Sequence, residues 1–254
     1  MLGKCELFVG LICLVGVNYG YMGAMMGQIT TCDDGKTGIE IDWDPNDFSV
    51  FTCPNRIRFA RREVDPVLFE IPDFNARTDQ VGHKCVNEKI VYKEVPPLRG
   101  DHRPNWPRYG EYLYVPPQRW LHNLEHGTIV LLYHPCTDLE ELQKLRHLVT
   151  GCLWRHIVTP YNRLSEQRPL ALVAWGAKLE LNLVDERSIA MAVAFIRKHA
   201  RVAPEDISRD GIYDHYLMVP ARIVSDQADS KICPDFLTVS TTTTPLSNNA
   251  TIHL

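Results

Sequence analysis

Three residues able to bind a metal or move a proton fall within five positions of one another. They are His122, Glu125 and His126, in the stretch Arg119-Trp-Leu-His-Asn-Leu-Glu-His-Gly127. An apolar, β-rich run follows at once over residues 128–133. The order H-x-x-E-H is that of the inverted zincins. On a helix the three side chains would share one face, with the two His Cα atoms roughly 6 Å apart along the axis. Both imidazoles could then hold one ion while Glu125 polarised a water. On a strand the same two histidines would stand roughly 13 Å apart, with Glu125 on the opposite side. Pro116-Pro117 before the stretch and Gly127-Thr-Ile-Val after it limit any helix to about two turns, shorter than a metalloprotease would use.

Three readings stay open. In the first, His122 and His126 cap the turn entering the strand, and Glu125 serves backbone amides or Arg119. In the second, His122 and His126 form a metal site with a histidine from elsewhere, His102 or His134. Three imidazoles suit zinc or copper. In the third, His122, Glu125 and His126 form a metal-dependent hydrolase, with Glu125 as its catalytic group. No Gly-rich phosphate loop, G-x-S-x-G elbow or dinucleotide fingerprint occurs. The formal charge of -4 gives no footprint for nucleic acid. The basic group Arg56, Arg58, Arg61 and Arg62 lies beside Glu63 and Asp65 and reads as a solvated face.

The elements that must position these residues begin after an export signal. The run Leu7-Phe-Val-Gly-Leu-Ile-Cys-Leu-Val-Gly-Val17 has the length of a signal-peptide core, and Gly20, Gly23 and Ala24 suit a cleavage point. Residues 1–24 are therefore expected to be a signal peptide. No later segment is apolar for long enough to span a bilayer. The signal takes Cys5 and Cys13 and leaves Cys32, Cys53, Cys85, Cys136, Cys152 and Cys233, an even set expected to form three disulfides of open connectivity. A helix over residues 138–148 would hold Cys136 and Cys152 roughly 16 Å apart, which argues against pairing those two. Asn249-Ala-Thr251 is a glycosylation sequon.

Residues 28–88 read as an irregular, disulfide-pinned region, and residues 89–235 as an α+β core domain. Residues 236–254 read as a disordered Thr-rich tail. The core opens with an arm rich in Pro, Gly and aromatics that carries His102, Trp106 and Tyr109. Strands are expected at 128–133, 156–159 and 170–175, with a continuation at 178–183. A helix is expected from an N-cap at Thr137, with Leu139, Leu142, Leu145 and Leu148 as its stripe and Gly151 as its stop. Asp185 caps a second helix running to His199. The order β-α-β-β-α predicts a sandwich of a small mixed sheet with helices on one face. A closing strand at 216–223 would make it ferredoxin-like.

Further motifs recur in order from residue 90 to 205. They are Tyr92-x3-Pro96-Pro97-x2-Gly100-x-His102, Gly110-x-Tyr112, His122-x-Leu124-Glu125-His126-Gly127, Tyr133, Pro160 and Ala174-Trp175-Gly176. With these the chain resembles an uncharacterised domain family of exported bacterial proteins that has an animal branch. The resemblance implies no established chemistry. It implies, from the animal branch, a role in growth suppression and an extracellular domain on a single-span anchor. The chain departs in having no span after the signal segment, so a secreted form, a truncated form and loss of the anchor all stay open. Two function classes follow. One is a non-enzymatic extracellular domain with a protein partner; the other is a metal-dependent protein or hydrolase built on the histidines.

Overall fold

The computed structural model describes residues 32–236. The expected signal, Cys5, Cys13, the Thr-rich tail and Asn249 lie outside those residues.

Strand β3 (Ile129–Tyr133) is the centre of the sheet, because its Ile-Val-Leu-Leu run is apolar on both sides. A strand of that kind must be covered on both faces. It runs parallel to β4 (His156–Pro160) and antiparallel to β5 (Leu170–Ala174), which turns at Trp175-Gly176 into β6 (Ala177–Leu181). Beyond β6 lies β1 (Val67–Glu70); beyond β4 lie β2 (Gly110–Tyr112) and β7 (Leu217–Pro220). The order is β1-β6-β5-β3-β4-β2-β7, a mixed sheet of seven strands.

Helix α2 (Leu139–Cys152) links β3 to the parallel β4, and α3 (Glu186–His199) follows β6. Both pack on one face, where Leu145, Leu148, Ala192 and Ile196 meet Ile129, Leu131 and Leu172. The opposite face takes Val130, Leu132 and Val173. These meet Trp120, Leu121 and Leu124 of α1 (Pro117–Glu125) and Leu98 and Tyr109 of the Pro-rich arm. Each fully buried Leu or Ile contributes about 1.5–3 kcal/mol.

The α+β class is correct, but three details differ from expectation. The sheet is not small: β1, β2 and β7, each too short to show alternation in the sequence, extend it to seven strands. Nor do the helices keep to one face, since α1 covers the other. The strand near residues 216–223 is present as β7 but pairs antiparallel with β2 at the edge, and the ferredoxin-like arrangement is not confirmed. Helix α2 is capped by Asp138, whose carboxylate accepts from the Glu140 and Glu141 amides. Thr137 instead donates its hydroxyl to the Pro169 carbonyl. Gly151 does not stop α2, which runs on to Cys152.

The six cysteines among the described residues are paired, as Cys32–Cys85, Cys53–Cys136 and Cys152–Cys233. Cys136 and Cys152, at opposite ends of α2, find different partners. Three disulfides fit an oxidising compartment. Among the described residues no helix is long and apolar enough to cross a membrane.

Candidate metal centre

Helix α1 is a nine-residue segment with Pro117 at its first position, where a missing amide hydrogen costs nothing. It ends at Glu125, with His126 as its C-cap, and Gly127, with a φ of +76°, brings the chain directly into β3. A Cβ there would lie 2.5 Å from the Arg201 Cα, so the turn requires glycine. Residues 118–125 are all buried. His122 and Glu125, three positions apart, therefore project together into the interior against the arm.

The arm supplies His102, and an earlier strap supplies His83. The two meet across an isolated parallel bridge, in which the Lys84 amide donates to the His102 carbonyl (2.8 Å) and the His102 amide to the Gly82 carbonyl (3.1 Å). One ligand atom each from His83, His102, His122 and Glu125 lies within 4.8 Å of the other three. Glu125 Oε2 is 3.0 Å from His102 Nε2, 3.3 Å from His83 Nε2 and 3.9 Å from His122 Nε2. The Nε2 atoms of His102 and His83 are 3.1 Å apart. Four ligands at zinc–nitrogen and zinc–oxygen distances stand about 3.3 Å from one another in a tetrahedron.

The ring nitrogens facing away from this point are occupied. His102 Nδ1 lies 2.9 Å from the Gly100 carbonyl, and His122 Nδ1 lies 2.6 Å from the Arg103 carbonyl. A carbonyl can only accept, so each Nδ1 carries its proton and a neutral ring turns the Nε2 lone pair inward. Metal-binding histidines are commonly oriented in this way. Burial pushes the His122 imidazole well below its ordinary range, with help from His102, His126 and His83, so His122 is neutral. Its Nε2 has no hydrogen-bond partner among the described residues. At Glu125, burial pushes the carboxyl up, but hydrogen bonds and charge from His102 and His83 outweigh that and hold it below the carboxylate range. A metal ion among these atoms would satisfy the inward lone pairs and the carboxylate together.

His126 ends α1 and does not join this set. Its ring stacks on that of His122 with centroids 4.7 Å apart and packs against Trp106 at 4.4 Å. Its Nδ1 lies 3.3 Å from Glu205 Oε2. Burial pushes His126 down to about 3 and Glu205 up to about 7. Both groups are driven toward neutrality, and the contact is an imidazole beside a carboxyl, not an ion pair. His134 accepts from the Cys136 amide in the turn after β3. Arg119 pairs with Asp33 and not with Glu125.

His83 was not legible as a site residue. It lies in the irregular region and belongs to no periodic element. One signal could have marked it: it is the only histidine before His102, and it stands two residues from a disulfide cysteine.

The fold and the site define an α+β domain with a buried three-histidine, one-glutamate cluster. Residues 83–211 match the family described as "Protein of unknown function (DUF3105)", and the chain belongs to that family. No curated protein and no solved structure matches the chain.

Proposed function

We propose that the protein is a non-enzymatic, exported metal-binding domain holding one zinc-class divalent ion at His83, His102, His122 and Glu125. The observation that carries this is the convergence of three imidazole Nε2 atoms and one carboxylate oxygen within 4.8 Å, with the outward nitrogens of His102 and His122 on carbonyls. Three imidazoles and one carboxylate are a donor set that suits a zinc-class divalent ion. With four protein ligands, of which His83 at 18% side-chain exposure is the only one open to solvent, the site is of the closed, structural kind. Such an ion ties strap, arm and α1 together.

The alternative, a metal-dependent hydrolase on His122, Glu125 and His126, needs Glu125 free to activate a water and His126 turned toward His122's ligand atom. Glu125 is engaged by His83 and His102, and His126 faces Glu205.

The three disulfides and the apolar run at residues 7–17 support export after removal of residues 1–24, with glycosylation at Asn249. Within its family the chain resembles tumour protein p53-inducible protein 13, and that likeness supports a part in growth suppression or cell-cycle control through contact with a protein partner. Three of the four ligands are buried, with His83 half-buried, and an ion held there would stabilise the surface offered to such a partner.

Elemental analysis of untagged protein tests the metal reading. One zinc per chain is expected in the wild type and none in His122→Ala. Protein that refolds with full stability and holds no divalent ion would sink it.

A further inference from the structure

Residues 32–42 reach each of the three histidine-bearing segments through a different anchor. Cys32 is bonded to Cys85, two residues beyond His83. Asp42 grips the guanidinium of Arg103, the residue after His102, at 2.5–3.1 Å. Asp33 takes Arg119, one turn before His122, at 2.7 Å. Both Arg–Asp pairs have side chains essentially closed to solvent.

The anchors also join one another. The Arg103 guanidinium donates to the carbonyls of Lys84 and Cys85, and the Arg103 carbonyl accepts from His122 Nδ1. Asp33 accepts from the Asn105 amide on the arm. The Val86 amide donates to the Cys32 carbonyl. This segment lies wholly outside the residues that match the family.

We infer that residues 32–42 form a clasp that holds the histidines of the metal centre in place, and that opening it at Cys32–Cys85 sets how fast the ion leaves. This rests on the metal reading proposed above. The Cys32–Cys85 bridge is open to a reductant from either end: Cys32 and Cys85 are both half-buried, whereas Cys53–Cys136 offers only the half-buried Cys53 and both Cys152 and Cys233 are fully buried. A dithiol would deliver two electrons and two protons. The S–S bond would break, Cys32 and Cys85 would become thiols, and the dithiol would leave as its own disulfide. The strap bearing His83 would then be held by hydrogen bonds alone: the bridge to His102, the Arg103 contacts, the Val86 amide on the Cys32 carbonyl and the Gly82 amide on Asp101. Metal retention thus becomes conditional on an oxidising surrounding.

The test compares the zinc-loaded full chain with its Cys32→Ser/Cys85→Ser variant, following transfer of zinc to a chromophoric chelator. Mass mapping confirms that the other two disulfides are intact. Release at least about tenfold faster is expected, the scale on which outer-shell partners act on metal sites. The Lys84 and His102 amides should exchange with solvent faster, while those of Val130 and Leu131 in β3 stay protected. Equal release rates in a wild type that does bind zinc would overturn the clasp and leave the metal reading standing. If the wild type holds no zinc, the metal reading fails. Amide exchange at Lys84 and His102 in the zinc-free chain then decides whether the clasp orders those residues at all. Should the double variant not fold, Asp42→Asn removes one anchor with all disulfides in place, and the same two readouts apply.

Discussion

Zinc should stabilise the folded chain strongly, and the stabilisation should pass through Glu125. The ion supplies positive charge among three imidazole nitrogens and one carboxylate that lie within 4.8 Å of one another. It binds an arrangement that the unfolded chain does not possess, so binding free energy appears as folding free energy. At free zinc about a thousandfold above the dissociation constant, the gain is about 4 kcal/mol. For a domain of this size that corresponds to a rise in melting temperature of roughly 8–16 °C. The assay is thermal unfolding under non-reducing conditions, with zinc and with excess chelator, on the wild type and on Glu125→Gln. Glutamine keeps the shape of the side chain but removes its charge and one good ligand oxygen. The wild type should show the full shift and Glu125→Gln only a small part of it. An equal shift in both proteins, or none in the wild type, would refute the reasoning.

Two other outcomes follow from the surroundings of the site. Burial raises the Glu205 carboxyl from 4.5 to about 7, so the folded state favours its protonated form. Its favourable contribution is full below about pH 4.5 and is lost as pH rises through about 7. In zinc-free protein, Glu205→Gln should therefore gain stability relative to the wild type between those limits, by at most about 3 kcal/mol; a flat difference across the range in chemical denaturation would contradict this. Gly127→Ala forces a Cβ into a positive-φ position 2.5 Å from the Arg201 Cα. It should cost roughly 2–4 kcal/mol in denaturant unfolding, and a loss below about 0.5 kcal/mol would show that the turn into β3 relaxes freely.

The parts of the fold that were legible in the sequence are those set by local pattern. The Leu139, Leu142, Leu145 and Leu148 stripe marks α2, and the apolar runs mark β3, β4 and β5. The misplaced cap of α2 has a local cause: Thr137 and Asp138 are adjacent and both suit an N-cap, and the Pro169 carbonyl takes the threonine hydroxyl. Strands β1, β2 and β7 were hidden because three or four residues show no reliable alternation, and their pairing is decided by distant partners such as Glu180 for Val67. The site divides in the same way. His122 and Glu125 could be placed together from helical spacing alone. His102 could be placed on the arm but not in contact. His83 is brought in by a bridge to His102 and a disulfide spanning 53 residues, neither of which leaves a local trace. His126 has the right spacing for a shared ion with His122, yet its ring stacks on the first imidazole and its Nδ1 turns to Glu205.

The difference between His83 and His126 gives the most direct test of the central claim. Zinc affinity should be measured by competition with a calibrated chelator for the wild type, His83→Ala and His126→Ala. An ion held by His83, His102, His122 and Glu125 predicts a loss of about 100-fold or more for His83→Ala, and a change under about tenfold for His126→Ala. Loss of zinc in His126→Ala with full affinity retained in His83→Ala would contradict it and return the ion to the H-x-x-E-H pair.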